Sequence, residues 1–374
     1  MKIKSFEFNL RELAGAMGDF GTLFPLAIGY IVVCGVDPAG LLVMMGLTNI
    51  VTGLVYRLPM PVEPMKVLAV VAIAQQWQPS MVYASGFAMG VLWLLLAVTG
   101  LMGRLARITP RPVIRGIQVA LGVMLAIQAI KMLAGGWLLG LLAIAIVLLL
   151  RQNRYAPAAV VLVLLGMAIM LAKGHFAQVQ APVFAFPPLT GFSLAESWQS
   201  LLRAGFSQLP LTATNAVIAT SVLIKEYWPD RPVSEKKLSL NMGLINLVSP
   251  WFGGMPMCHG AGGLAGQYFF GARTGGANII EGLLELAMGL LLAQSIAELF
   301  GAFPVAIVGA MMFLVGIEMT KFAKDTRWNL DLVPLLTTLV VSLWINMACG
   351  FLAGLTVHYG LQWQLRRLRM KQPG

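Results

Sequence analysis

The stretches MGLTNIVTGLVYRLPMP at residues 45–61 and MGLINLVSPWFGGMPMC at 242–258 align without a gap at an offset of 197 positions. Met45, Gly46, Leu47, Asn49, Val51, Pro59 and Met60 recur as Met242, Gly243, Leu244, Asn246, Val248, Pro256 and Met257. Two unrelated apolar helices would share Leu and Val; sharing Asn, Gly and Pro in register indicates duplication. Weaker echoes flank the block, Thr22 against Thr212 before it and Pro112-Val113 against Pro304-Val305 after it.

The solvent around this duplicated chain is lipid. Of 374 residues, 58% are hydrophobic and 11% charged, against about 25% charged in soluble chains, and the mean hydropathy is +0.81. Apolar runs place fourteen spans at 13–35, 40–57, 59–76, 82–102, 112–133, 137–150, 157–173, 206–224, 238–253, 256–272, 278–298, 304–320, 330–346 and 351–365. A span needs about 20 residues to cross the hydrocarbon core, so the shorter runs are tilted, re-entrant or broken. Met1 to Glu12 is charged and amphipathic and Asp19 interrupts the first apolar run, so no cleavable signal is read and the start is retained. Cys34, Cys258 and Cys349 form no CxxC pair, which removes disulfide frameworks and structural zinc; no cofactor or metal is expected.

The net charge of +11 comes from 26 Lys and Arg, and their placement matters more than their sum. With the N-terminus cytoplasmic, all but Lys66, Lys131, Lys173 and Arg203 fall on the inner side. One topology with an even number of spans and both termini inside satisfies that split. Basic residues gathered at span ends read as topology signals and exclude nucleic acid as a partner. Residues 1–173 form a first transmembrane repeat, 174–205, with Pro182, Pro187 and Pro188, a linker, and 206–374 a second repeat with a short basic cytoplasmic tail. Each repeat holds an odd number of spans, so the copies are inverted.

Inverted-repeat transporters hold substrate near the bilayer midplane, between interrupted helices whose N-termini present positive dipole ends. Here the interrupted segments are the two Pro-Met elements. Pro59, Pro61 and Pro64 cannot all lie in a regular helix, so an extended piece containing Met60, Pro61, Val62 and Glu63 leads into a helix near Pro64. In the second copy Cys258, His259, Gly260, Ala261 and Gly262 take that part, with glycines permitting close approach of a ligand. Exposed N–H groups at such helix starts form an anion site. Gln208, Thr212 and Asn215 recur at helical spacing and share a face; both oxyanion contacts and interhelical hydrogen bonds fit them. Asp19, an intramembrane carboxylate, is a coupling candidate or a helix-breaking cap, and Thr22, Glu63 and Lys66 join it as coupling or gating candidates. Glu281 and Glu285, four apart on one helix face, suit a gate, a proton relay or a paired structural role. Adjacent Cys258 and His259 point to opposite sides of an extended segment and make a poor nucleophile–base pair. GARTGG at 271–276 lacks the GxxxxGK[ST] pattern of a phosphate loop.

ELAGAMGDFGTLFPLA at 12–27, PMPVEPMK at 59–66, QLPLTATNAVIA at 208–219 and MPMCHGAGGLAGQYFFGARTGG at 255–276 resemble the molybdate transporter family, a branch related to the sulfate permeases and more distantly to nucleobase permeases. The resemblance implies an all-α polytopic membrane fold, a seven-plus-seven inverted repeat with core and gate domains and two half-helices meeting at the midplane. It implies secondary active import of a tetrahedral oxyanion, molybdate first, with tungstate and sulfate as related substrates, and no enzyme activity. Sulfate permeation or a nucleobase or organic-anion carrier on the same fold is the alternative; a membrane-embedded enzyme or a channel is the reading from another class. The implied setting is an integral protein of a plasma membrane, bacterial inner membrane included. Expected partners are the oxyanion, the bilayer, protons as coupling ions and a second copy of the chain. The family pattern carries Gln where this chain has Glu63. An ionised carboxylate beside a dianion costs on the order of 4 kcal/mol per unit-charge pair at 4 Å, which a proton or Lys66 offsets.

The topology prediction follows from the charge split. In an otherwise cysteine-free background, Gln180→Cys is labelled by an impermeant thiol reagent from outside and Arg107→Cys is not; the reverse pattern inverts the assignment.

Overall fold

The computed structural model describes residues 2–3, 5–17, 20–102, 104, 108–150, 158–175, 182–325 and 330–370. It is an all-α membrane fold with two very short sheets, one of which lies at its centre. A short N-terminal hairpin, β1 (Lys2–Ile3) and β2 (Phe6–Glu7), precedes α1 (Leu10–Ala16). The first copy comprises α2 (Phe20–Val32), α3 (Pro38–Tyr56), β3 (Glu63–Pro64), α4 (Lys66–Ala74), α5 (Pro79–Thr99), α6 (Arg111–Leu133), α7 (Trp137–Leu150) and α8 (Ala158–Ala172). The second comprises α9 (Leu194–Tyr227), α10 (Glu235–Val248), β4 (Met257–Cys258), α11 (Ala261–Phe270), α12 (Gly276–Leu291), α14 (Val305–Lys321), α15 (Leu332–Trp344) and α16 (Met347–Met370), with α13 (Ala293–Ala302) as a connecting helix.

Large apolar side chains face outward as well as inward, and the interior also holds polar groups. Leu138 is 88% exposed and Leu149 81%, whereas Asn49, Asn246 and Asn278 are fully buried. An apolar exterior around an apolar core suits lipid. Among the described residues, α3, α5, α6 and α9 are long and apolar enough to cross a bilayer. Several spans read from hydropathy need revision. The run 59–76 is extended up to Met65 and helical only over α4, and 256–272 is helical only over α11, because the prolines and glycines of each break the ladder. The run 278–298 divides into α12 and α13. The segment read as linker up to residue 205 is already helical from Leu194. There Ser193 and Glu196 form a reciprocal capping box and Ser80 donates to Glu196.

Two groups of helices follow from the packing. In one, α3 packs on α12 and α5 on α10; in the other, α6 packs on α14 and α15, and α15 on α16. The first group packs through glycines of α3 and α5. A Cβ at Gly46 would meet the Gly282 carbonyl at 2.6 Å, and one at Gly90 would meet Asn246 at 2.7 Å, so the backbones touch, as small residues allow in membranes. Both copies leave their second helix through a left-handed residue, Arg57 (φ 57°) and Gly253 (φ 78°). Both resume their fifth span at the matching prolines, Pro112 in the first turn of α6 and Pro304 just before α14, where a missing N–H costs nothing.

Candidate functional site

The site grows from the two Pro-Met segments. They cross antiparallel, Glu63 opposite Cys258 and Pro64 opposite Met257, and Met65 N–H donates to Pro256 C=O at 2.9 Å. An antiparallel pair of duplicated segments requires inverted copies, and it puts the starts of α4 and α11 side by side. The ladder between these two-residue strands is short, and carboxamides complete the pairing of the flanking backbone. Asn246 clamps Met257, accepting from its N–H at 2.8 Å and donating to its C=O at 2.6 Å. In the first copy the equivalent Asn49 does not reach Met60 directly. Asn278 of α12 clamps Met60 instead, accepting at 2.8 Å and donating at 2.6 Å. Asn49 accepts from Asn278 at 2.9 Å and donates to Glu285 at 2.8 Å. Recurrence marked Asn49 and Asn246 in the sequence, but nothing there singled out Asn278.

The starts of the two half-helices differ in chemistry. At α4, the Gln208 side-chain oxygen accepts from the N–H groups of Val67 at 2.8 Å and Leu68 at 3.3 Å, and its amide donates to Thr212. Those two donors, expected to hold an anion, are taken by a cap. Asn215 does not share this arrangement, because a π-helical stretch, Ala213–Ala219, begins after Thr212 and adds residues to the turn. Pro210 and a second π stretch, Leu201–Gly205, precede it. The hydroxyls of Thr214 and Thr220 take up carbonyls of Pro210 and Asn215 in the disturbed ladder. The shared face read from ideal helical spacing therefore holds for Gln208 and Thr212 and is lost at Asn215, which is half-buried.

At α11 no side chain caps the start, and the N-cap Gly260 is extended. The first bond of the helix runs from Leu264 N–H to Gly260 C=O at 3.0 Å; among the described residues the N–H groups of Ala261, Gly262 and Gly263 have no partner. A Cβ at Gly262 meets nothing within 4 Å, and the residue is exposed. This is an open helix N-terminus, suited to an anion by its donors and its dipole.

Glu63 and His259 close that end on the protein side. Glu63 is fully buried; one carboxylate oxygen pairs with Lys66 Nζ at 2.5 Å and the other has no partner. A Cβ on Gly260 would lie 2.5 Å from the Glu63 carboxylate, so this side chain roofs the entry to α11 and brings the Lys66 ammonium with it. His259 is buried, its Nδ1 3.0 Å from Pro61 C=O and its Nε2 unpartnered. A carbonyl only accepts, so Nδ1 carries a hydrogen, and Nε2 donates to a ligand only once the ring takes a second proton. The Tyr56 ring meets it edge-on at 5.6 Å between centroids. Met60, Val62 and Cys258 are buried in the crossing, and Ala261 is the first residue of α11. Asp19 and the side chain of Thr22, on α2, lie outside the described residues.

GARTGG does hold an anion, a carboxylate of this chain. Glu12 of α1 accepts from the N–H groups of Arg273 and Thr274 at 3.0 Å and of Ala277 at 3.1 Å. That fixes α1 against the start of α12.

Two glycine variants separate fold from function. Gly260→Val forces the Glu63 carboxylate aside and lowers uptake at least about tenfold, in line with overpacking costs of 1–3 kcal/mol. Gly262→Val keeps the wild-type melting temperature in detergent, since its side chain enters open space, yet abolishes uptake. Normal uptake in Gly262→Val places the anion elsewhere.

Comparison with known proteins gives a consistent answer. A family model described as "Molybdate transporter of MFS superfamily" matches residues 11–125 and 200–319. Molybdate transporter 1 of Arabidopsis thaliana is 32% identical over 405 residues, covering 93% of this chain and 87% of the relative. Molybdate transporter 1 of Chlamydomonas reinhardtii is 29% identical, covering 92% and 90%. Among solved structures, murine Slc26a9, an anion transporter in the inward-facing state, superposes with a TM-score of 0.72 at 14% identity, over 98% of this chain and 70% of that one. The transmembrane domain of the cyanobacterial bicarbonate transporter BicA gives 0.66 at 16% identity, over 92% and 97%. The arrangement of helices is thus that of these anion transporters, and by sequence the chain belongs to the molybdate transporter family.

Proposed function

We propose that this chain is a secondary active importer of molybdate, working by alternating access around the start of α11. The observation that carries the reading is the uncapped, glycine-built N-terminus of α11 beside the Glu63–Lys66 pair. Backbone N–H groups and an ammonium suit a compact dianion whose charge is spread over four oxygens. The names of the relatives, all molybdate transporters, select the anion. The helices α6 to α8 and α14 to α16 form the gate and the rest the core, because Asn246 of α10 and Asn278 of α12 clamp the segments that lead into the half-helices. The protein sits in a plasma membrane with both termini cytoplasmic, as the charge split requires. Uptake of labelled molybdate into proteoliposomes tests this directly. An inwardly directed proton gradient drives molybdate entry, at a rate that excess tungstate suppresses strongly and sulfate more weakly; equal suppression by sulfate makes the protein a general oxyanion carrier.

Protons are the coupling ion in this reading. A dianion arriving beside the half-satisfied Glu63 carboxylate raises the local energy by several kcal/mol unless a proton arrives too, so binding of anion and proton is linked. Glu63→Gln keeps the shape, restores the family's residue and removes the titration. It is expected to bind molybdate while its uptake loses most of its dependence on external pH; an unchanged pH profile makes Glu63 a structural partner of Lys66.

A further inference from the structure

Lys131 remains unexplained by topology or by the site. It is one of four basic residues on the side the others avoid, and Lys66, another of the four, belongs to the site. Lys131 lies in the last turn of α6, is exposed, and lines a cavity of about 230 Å³ between the C-terminal end of α4 and the helices α6, α15 and α16. The other polar lining groups are Gln75, Gln128, Ser342 and Asn346, and among the described residues no carboxylate lines the cavity. Two of these amides have their oxygens already engaged. Gln75 accepts from Trp77 Nε1 at 2.9 Å and Asn346 from Cys349 N–H at 2.8 Å, so what they have left to offer is NH₂ donors. Gln128 is 8% exposed. An ammonium and amide donors with no competing carboxylate select an anion over a cation. At roughly 30 Å³ per water, the volume admits a tetrahedral oxyanion with part of its hydration.

We propose that this cavity is an antechamber, a weak site for the tetrahedral dianion at the outer end of α4, ahead of the central site. The inference rests on the transporter reading. Its geometry is that of one half-helix with a site at each end. Lys66 and Ala74 bound α4, and eight residue steps at 1.5 Å put the two about 12 Å apart. The cavity walls are contributed by both helix groups, α4 from one and α6, α15 and α16 from the other, so their relative movement reshapes it. It faces the C-terminal, negative end of the α4 dipole, which keeps binding weak enough for the ion to move on. Lys131 supplies the attraction, by steering anions from the outer solution.

Initial rates of molybdate uptake against concentration, at low and high ionic strength, test this with Lys131→Gln, Lys131→Glu and Lys131→Arg in proteoliposomes. KM is expected to rise about three- to tenfold in Lys131→Gln and further in Lys131→Glu, with Vmax within about twofold of wild type. Lys131→Arg keeps the wild-type KM, and high salt shrinks the differences. An unchanged KM in Lys131→Glu overturns the antechamber, as does a loss confined to Vmax that Lys131→Arg fails to restore. The same oxyanion chemistry is found in lipid headgroups. A KM effect present only in liposomes with anionic lipid, and absent in purely zwitterionic ones, assigns Lys131 to the membrane surface and overturns the proposal. The two readings fail separately: if wild type takes up sulfate but not molybdate and Lys131→Glu raises the sulfate KM, the antechamber stands and the molybdate reading falls.

Discussion

Backbone polar groups buried in a lipid-solvated protein have no water to fall back on, and the crossing of β3 and β4 is where this constraint is met. Two extended segments, one with Pro59, Pro61 and Pro64 and the other with Pro256, meet at the centre of the molecule. The ladder between them is short, and each unpaired group costs several kcal/mol in such a setting. The carboxamides of Asn246 and Asn278 make up the difference by clamping Met257 and Met60 at donor and acceptor together. Because the crossing is held, α4 and α11 begin at fixed places. Because they begin there, Glu63 and Lys66 of one copy stand over the first turn of the other.

The duplicated halves meet the same requirement with different residues, and the difference creates the site. Asn246 acts alone, whereas Asn49 works through Asn278 and spends its second hydrogen bond on Glu285. Gln208 covers the N–H groups of α4, and nothing covers those of α11. A symmetric pair of open helix ends would offer two equal positions to an anion. One capped and one open end leave the free donors, among the described residues, at α11, next to Glu63, Lys66 and His259.

The superfamily named in the description of the family model is built from two six-helix halves, each of 3+3 inverted repeats. In the present chain the described residues show two extended segments that each break a helical run, and its helices superpose on those of the BicA transmembrane domain and Slc26a9. Family membership thus comes from the sequence comparisons, and the arrangement of helices from the solved structures.

The amino-acid sequence by itself determined the lipid solvent, the duplication, the inversion and the two broken spans. These follow from composition, from a fixed offset, from the distribution of charge and from proline, all of which are local or additive along the chain. It also brought Glu63, Lys66, His259 and Gly260 forward as site residues, since proline and glycine next to polar groups in an apolar run are visible one residue at a time. Only the tertiary structure decided what those groups face. That Gln208 caps α4, that Asn278 and not Asn49 clamps Met60, and that Glu12 occupies the 271–276 loop depend on contacts across 140 to 265 positions, which no periodicity records. Asn215 leaves the arrangement of Gln208 and Thr212 at a π stretch, a change of helical period that begins after Thr212. Where α9 begins was legible after all, in Ser193 and Glu196, but hydropathy hid it because a cap is made of polar residues.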